Sequence, residues 1–145
     1  MRRLVLIISV IVSAVLLLAD CKSQNQTGDI PYTVCEGYFV RNDADKVPLG
    51  KITSQREFDK LFGMAAVMGR SITPIDFSKQ FVIAVSEKPT ANSTTYSPLS
   101  LVRSEGRIVF SYGIERGSKI SYVIQPLLLI VVDKKYESEV EVVAK

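Results

Sequence analysis

The chain has 145 residues, which suits one domain; Lys+Arg 18 against Asp+Glu 15 gives a formal charge of +3, and setting aside Arg2, Arg3 and Asp20 lowers it by one. That balance is too mild to argue for nucleic acid or for electrostatic attraction to a membrane surface. There is no His, no Trp and only two cysteines, which excludes Ser-His-Asp and Cys-His mechanisms, His-ligated zinc or haem, and a four-thiolate metal site, so no metal and no cofactor is expected.

Met1-Arg2-Arg3 is a basic start, and residues 4–19 are apolar except for Ser9 and Ser13. The run is short for a membrane span, which needs ~20 residues. It fits the n-region and h-region of a secretory signal, with a permanent anchor helix as the other reading. Leu18-Ala19-Asp20-Cys21 resembles a bacterial lipobox, with Asp20 standing where that pattern has Gly or Ala. The expectation is lipidation on the Cys21 sulfur and acylation of its new amine, which together hold a protein on a membrane where one chain would not. Residues 22–29 contain nothing apolar to bury and read as a tether. The resulting division is a signal peptide over 1–20, a flexible tether over 21–31 and a single β-rich domain over 32–145.

A lipidated Cys21 leaves Cys35 unpaired. Beside Val34 it reads as a small buried hydrophobe. A reactive thiol or an intermolecular disulfide are the alternatives, and without lipidation a Cys21–Cys35 disulfide becomes possible in an oxidising compartment. Asn25-Gln26-Thr27 and Asn92-Ser93-Thr94 match the N-glycosylation pattern, read here as coincidence.

Along the domain, residues 32–40 are rich in strand formers, and residues 41–46 read as a solvated turn; Asn42, Asp43 and Asp45 lack the Gly and Glu of a calcium loop. Ser54-Gln55-Arg56-Glu57 is a capping box, followed by Phe58, Leu61, Phe62 and Ala65 at helical spacing. Gly63 or Gly69 would end this helix, and Met64 and Met68 read as core filling. Residues 72–78 lead into the continuous apolar run 81–85, a strand buried on both faces. Residues 87–97 read as a polar loop. A hairpin then joins residues 99–102 to 107–114 across Ser104-Glu105-Gly106. Gly117-Ser118 reads as a further turn, residues 120–124 as an alternating strand interrupted at Pro126, and 127–132 as a second core strand. Lys134-Lys135 turn the chain and Val140-Glu141-Val142 close it. The predicted fold is α+β and mainly antiparallel β, with one N-terminal helix packed on a small sheet, open barrel or sandwich.

Five segments in this order are characteristic: the capped helix at Ser54, Pro74-Ile75-Asp76-Phe77-Ser78-Lys79 before the strand 81–85, Glu87-Lys88-Pro89-Thr90, the hairpin, and Gln125-Pro126 before Leu129-Ile130-Val131-Val132. Over roughly residues 49–143 the chain resembles the PrcB C-terminal domain family, whose namesake is a lipoprotein subunit of a bacterial surface protease complex. In that family Pro-Thr continues into Gly-Gly-Tyr, whereas here Ala91-Asn92-Ser93-Thr94-Thr95-Tyr96 follows. The resemblance implies a non-catalytic partner that associates with or stabilises a protease.

Three functions compete. The first is an accessory or stabilising lipoprotein of the bacterial cell envelope, on its periplasmic or surface side. It would bind an envelope protein, a protease among the candidates, through Lys88, Pro89, Thr90 and Tyr96, unless that loop is only a connection. The second is a protease inhibitor that plugs a cleft with the 88–96 loop. Asn92-Ser93-Thr94-Thr95-Tyr96 echoes the Asn-Pro-Thr-Thr-Gly-Tyr loop of chagasin-like inhibitors without its Pro and Gly. The third is an enzyme using Ser78-Lys79, Ser118-Lys119, or the carboxylates Glu137, Glu139 and Glu141. The serines lie on expected loops and the glutamates on an expected solvated strand face, so no catalytic residue is assigned.

Overall fold

A computed structural model describes residues 29–65, 68–69 and 71–145. The signal peptide, Cys21 and the tether as far as residue 28 lie outside the described residues. In chain order the elements are β1 (Tyr32–Val34), β2 (Tyr38–Val40), β3 (Leu49–Ile52), α1 (Gln55–Leu61), β4 (Phe62–Met64), β5 (Gln80–Ser86), β6 (Thr90–Ser104), β7 (Arg107–Ile124), β8 (Leu127–Asp133), a 3-10 turn (Lys134–Tyr136) and β9 (Val140–Ala144). The fold is α+β and mainly antiparallel β, as the sequence predicts.

The two continuous apolar runs become the two middle strands of a sheet ordered β1-β8-β5-β3. Both faces of this sheet are covered, which is why β5 and β8 show no polar alternation. On one face, Phe81, Ile83, Val85, Leu128, Ile130 and Val132 pack with Leu101, Ile108 and Phe110 of a second sheet, ordered β6-β7-β9. On the other face, Val82, Ala84, Leu129 and Val131 pack with Phe58 and Leu61 of α1 and with Val40 and Phe62 of the β2-β4 ribbon. One pleat therefore feeds two cores: odd-numbered β5 residues go to the first and even-numbered ones to the second.

The two sheets also meet along both edges. On one side a single stretch of chain changes sheets, because the Ile30 N–H donates to the Leu101 carbonyl (2.7 Å) while Tyr32 pairs with Val132. On the other, Lys51 of β3 donates to the Ser138 carbonyl (3.0 Å) and pairs with Glu137 (3.4 Å), next to β9. The result is a flattened, partly closed barrel with α1 and the β2-β4 ribbon outside it.

The Ser54 cap forms as expected: its hydroxyl accepts from the Glu57 N–H at 3.3 Å. Several other expectations are corrected. The helix stops at Leu61, and Phe62 turns into extended backbone to pair with Val40. Phe62 keeps the helical spacing in sequence but reaches the core as a strand residue. Met64, at the end of β4, and Met68 are both exposed and fill no core. The fold starts before residue 32: Asp29 bridges to Val102 and Ile30 is buried. Gly117-Ser118 is no turn, because β7 runs straight through it. Of the three glutamates expected on one strand face, only Glu141 lies in β9, while Glu137 ends the 3-10 turn.

Candidate functional site at the hairpin corner

The segment 87–97, read from sequence as a loop, is a loop only over its first three residues. Thr90 opens β6 and pairs with Ile124, Thr94 with Arg116, and Tyr96 with Ile114. Ladder hydrogen bonds use the backbone, so a polar side-chain pattern does not prevent pairing. The register explains the architecture. β5 pairs with β8 as far as Ser86↔Leu127, and β6 pairs with β7 from Thr90↔Ile124 onward. The four strands are one long hairpin, ending in the turn at Glu105-Gly106 and folded over at residues 87–89 and 125–126.

Glu87-Lys88-Pro89-Thr90 and Gln125-Pro126, far apart in sequence, are therefore the two sides of one corner. Proline suits a place where the ladder is broken, since it has no N–H to offer. The corner is stapled by side chains. Buried Ser86 donates its hydroxyl to the Pro126 carbonyl at 2.7 Å. Gln125 donates to the Glu87 carbonyl at 3.0 Å. Arg116 grips the Glu87 carboxylate with both terminal nitrogens, at 2.9 and 2.8 Å, in the planar fork geometry that favours Arg over Lys.

This pairing sets the charges. The Arg116 guanidinium holds the Glu87 carboxyl below the usual carboxylate range, with a smaller contribution from the Tyr96 hydroxyl. Burial pushes the Tyr96 phenol up to about 12, and the neighbouring Glu87 charge acts in the same direction. The Tyr96 ring stands edge-on to Tyr112 with centroids 5.5 Å apart and packs against the first core. Tyr96 is a structural residue of the corner as well as a candidate contact. Lys88 and Pro89 are exposed, and Thr90 is half-buried with its hydroxyl accepting from the Asn92 N–H at 3.1 Å.

A feature of this end of the ribbon is not visible from sequence alone. Between Thr90↔Ile124 and Asn92↔Lys119, residues 120–123 lie opposite the single residue Ala91. β7 bulges there, and Tyr122 and Val123 stand 64% and 66% exposed. The sequence signal was the run Ile120-Ser121-Tyr122-Val123-Ile124, whose alternation looked like an ordinary half-buried strand.

Other candidate chemistry is dispersed. Cys35 packs against the second core, and burial raises its thiol from an ordinary 9.0 to about 12, which suits an inert core residue. Ser78 donates to Asp76 as part of the turn before β5, and Ser118-Lys119 lie exposed on β7. Among the described residues no group of three or more His, Cys, Asp or Glu is placed to hold a metal ion, and no helix is long and apolar enough to cross a membrane. Comparison with known proteins gives no match to a family model, a curated protein or a solved structure.

Proposed function

We propose that the protein is a non-catalytic accessory lipoprotein of the bacterial cell envelope, held to the membrane through Cys21 and binding a protein partner at the hairpin corner. The observation that carries this reading is where the chain enters the fold. Asp29 pairs antiparallel with Val102, near the Glu105-Gly106 turn. Seven residues, 22–28, separate it from Cys21, so the two are eight residue steps apart, a reach of at most about 29 Å when fully extended. Along β6, Val102 and Asn92 are ten residues apart, or roughly 30 Å. A lipid on Cys21 would then attach near the Glu105-Gly106 end of β6, and the corner at the other end would stay open to a partner, which supports this reading. The resemblance to PrcB-like domains supports a protease complex as the partner class.

The engagement of Glu87, Arg116 and Tyr96 with one another favours a structural corner over a reactive one. The inhibitor reading needs residues 88–96 to project as a loop, and the pairing of Thr90, Thr94 and Tyr96 in β6 counts against it. The test is fatty-acid labelling of the full chain in its native cells, with and without Cys21→Ser, followed by detergent extraction and identification of co-purifying proteins. Labelling lost in the variant, with a stoichiometric partner in the wild type, is expected. Labelling that survives Cys21→Ser, or saturable hydrolysis of a peptide or ester library, would overturn the reading.

A further inference from the structure

We infer that the β7 bulge, with Tyr122 and Val123 at its centre and Lys119 and Lys88 beside it, is the docking surface for a protein partner whose facing surface is acidic around an apolar centre. Neighbouring residues of a regular strand face opposite sides, so one of each pair is normally covered. Tyr122 and Val123 are both exposed, the one place among the described residues where two large apolar side chains adjacent in sequence are so. The flanking Ile120 and Ile124 are half-buried, so the exposure is confined to the bulge itself. A bulge re-aims side chains, and here it turns two of them outward. An exposed aromatic with a polar tip beside an aliphatic is the composition of an interface anchor.

The charge around the bulge is one-sided. Lys88 and Lys119 are exposed and make no ion pair among the described residues. Glu87, the nearest carboxylate in the corner, is occupied by Arg116. Glu115, the other carboxylate on this stretch of β7, lies opposite Thr95, beyond Arg116 from the bulge. Complementarity therefore asks for carboxylates on the partner. It also disfavours a second copy of this chain, since a two-fold contact would bring like cations together. The proposal rests on the lipoprotein reading in one respect: attachment at the Asp29 end directs the bulge away from the lipid, and so toward protein.

The experiment places p-benzoylphenylalanine at position 122 of the full chain in its native cells, with a control at Glu105 in the turn. Irradiation is expected to give one protein adduct from position 122 and none from 105, joined through a peptide rich in Asp or Glu. Lys88→Glu combined with Lys119→Glu should lower the yield at least tenfold while leaving the thermal midpoint unchanged. An adduct to lipid, an adduct to a second copy, no adduct, or a protein adduct indifferent to the charge reversal would each overturn the proposal. Should the chain remain acylated and co-purify with a partner while position 122 gives nothing, the docking surface is misplaced and the accessory reading stands. Should Cys21→Ser leave labelling intact, the accessory reading itself falls.

Discussion

The outer edge of the Phe39 ring covers Gly63, its partner across the β2-β4 ribbon: a methyl group on Gly63 would meet the ring Cζ at 2.5 Å and Cε1 at 2.8 Å. The glycine is there to let an aromatic ring cover the backbone, a cross-strand arrangement that stabilises a short ribbon. Because Phe39 is 47% exposed, the ring can swing outward when displaced. Gly63→Ala is therefore expected to cost on the order of 1 kcal/mol. In a Phe39→Ala background it should cost less, with a coupling of about 0.5–1 kcal/mol. Urea melts of the four proteins test this, and additive effects would show that the ring and the glycine are independent.

Ser54→Ala should cost on the order of 1 kcal/mol through loss of the cap. Phe58→Ala should cost about 3–5 kcal/mol. Phe58 is buried and meets Tyr38, Phe62 and Phe77 with centroids 5.1, 4.7 and 5.6 Å away, so its loss empties the middle of the second core. Comparable, small losses for the two variants would contradict the packing described.

Ser86→Ala removes the hydroxyl that satisfies the Pro126 carbonyl in a buried position. The expected loss is on the order of 1–3 kcal/mol, because the carbonyl is left without a partner. Ser86→Thr retains the donor and should lose less if the extra methyl is accommodated. If Ser86→Ala proves neutral, the corner is not held by this bond.

Glu87 gives a pH signature. Its folded pKa lies below its ordinary value of 4.5, so the native state binds its proton more weakly than the unfolded chain. Its contribution is complete above that ordinary value and is lost as pH falls through the lower folded pKa. The stability gap between wild type and Glu87→Gln should then be widest near neutral pH and close as pH falls below the ordinary value of 4.5 and through the lower folded pKa. A gap independent of pH would place the effect in packing and not in the Arg116 pair.

Cys35 has the opposite sign. With its thiol raised to about 12, the folded protein holds it protonated at neutral pH, and alkylation by iodoacetamide should be far slower than in urea. Equal rates in the two states would mean that the thiol is not protected by the second core.

The sequence was most informative where side chains and secondary structure agree. Residues 81–85 and 127–132 could be placed in the core because an unbroken apolar run has only covered faces to go to. Ser54 and Glu57 marked a helix start because their side chains bond the backbone. Where the backbone alone decides, the pattern misled. Thr90 to Tyr96 and residues 115–119 look like loops because their side chains are polar, yet they form a ladder, and Gly117 sits opposite Ser93 with only 3.2 Å between a would-be methyl and the Ser93 Cβ. Phe62 looked helical because it falls one residue after Leu61 in an apolar stripe, and nothing local says that Val40 will pair with it. Of the contact residues expected from sequence, Tyr96 is drawn against the first core, while Tyr122, which the alternation 120–124 did not single out, stands exposed.

The folded-over hairpin has a consequence for how the barrel assembles. Its turn is a two-residue one, with φ of 51 at Glu105 and 79 at Gly106, the left-handed pair that suits tightly twisted strands. From there every rung of the ladder encloses the one before it, out to Gln80↔Asp133. Each new pair lengthens its loop by a few residues, and the entropic increment grows only with the logarithm of that length. Two facing sheets ordinarily wait on distant segments to meet. Here a zipper begun at one turn is expected to carry Phe81 and Ile130 back over Leu101 and Phe110, delivering both layers of the first core on the same strand pair. The seams at Ile30 and Lys51 then close last, and pulse-labelled amide exchange should show β6 and β7 protected before β1 and β3.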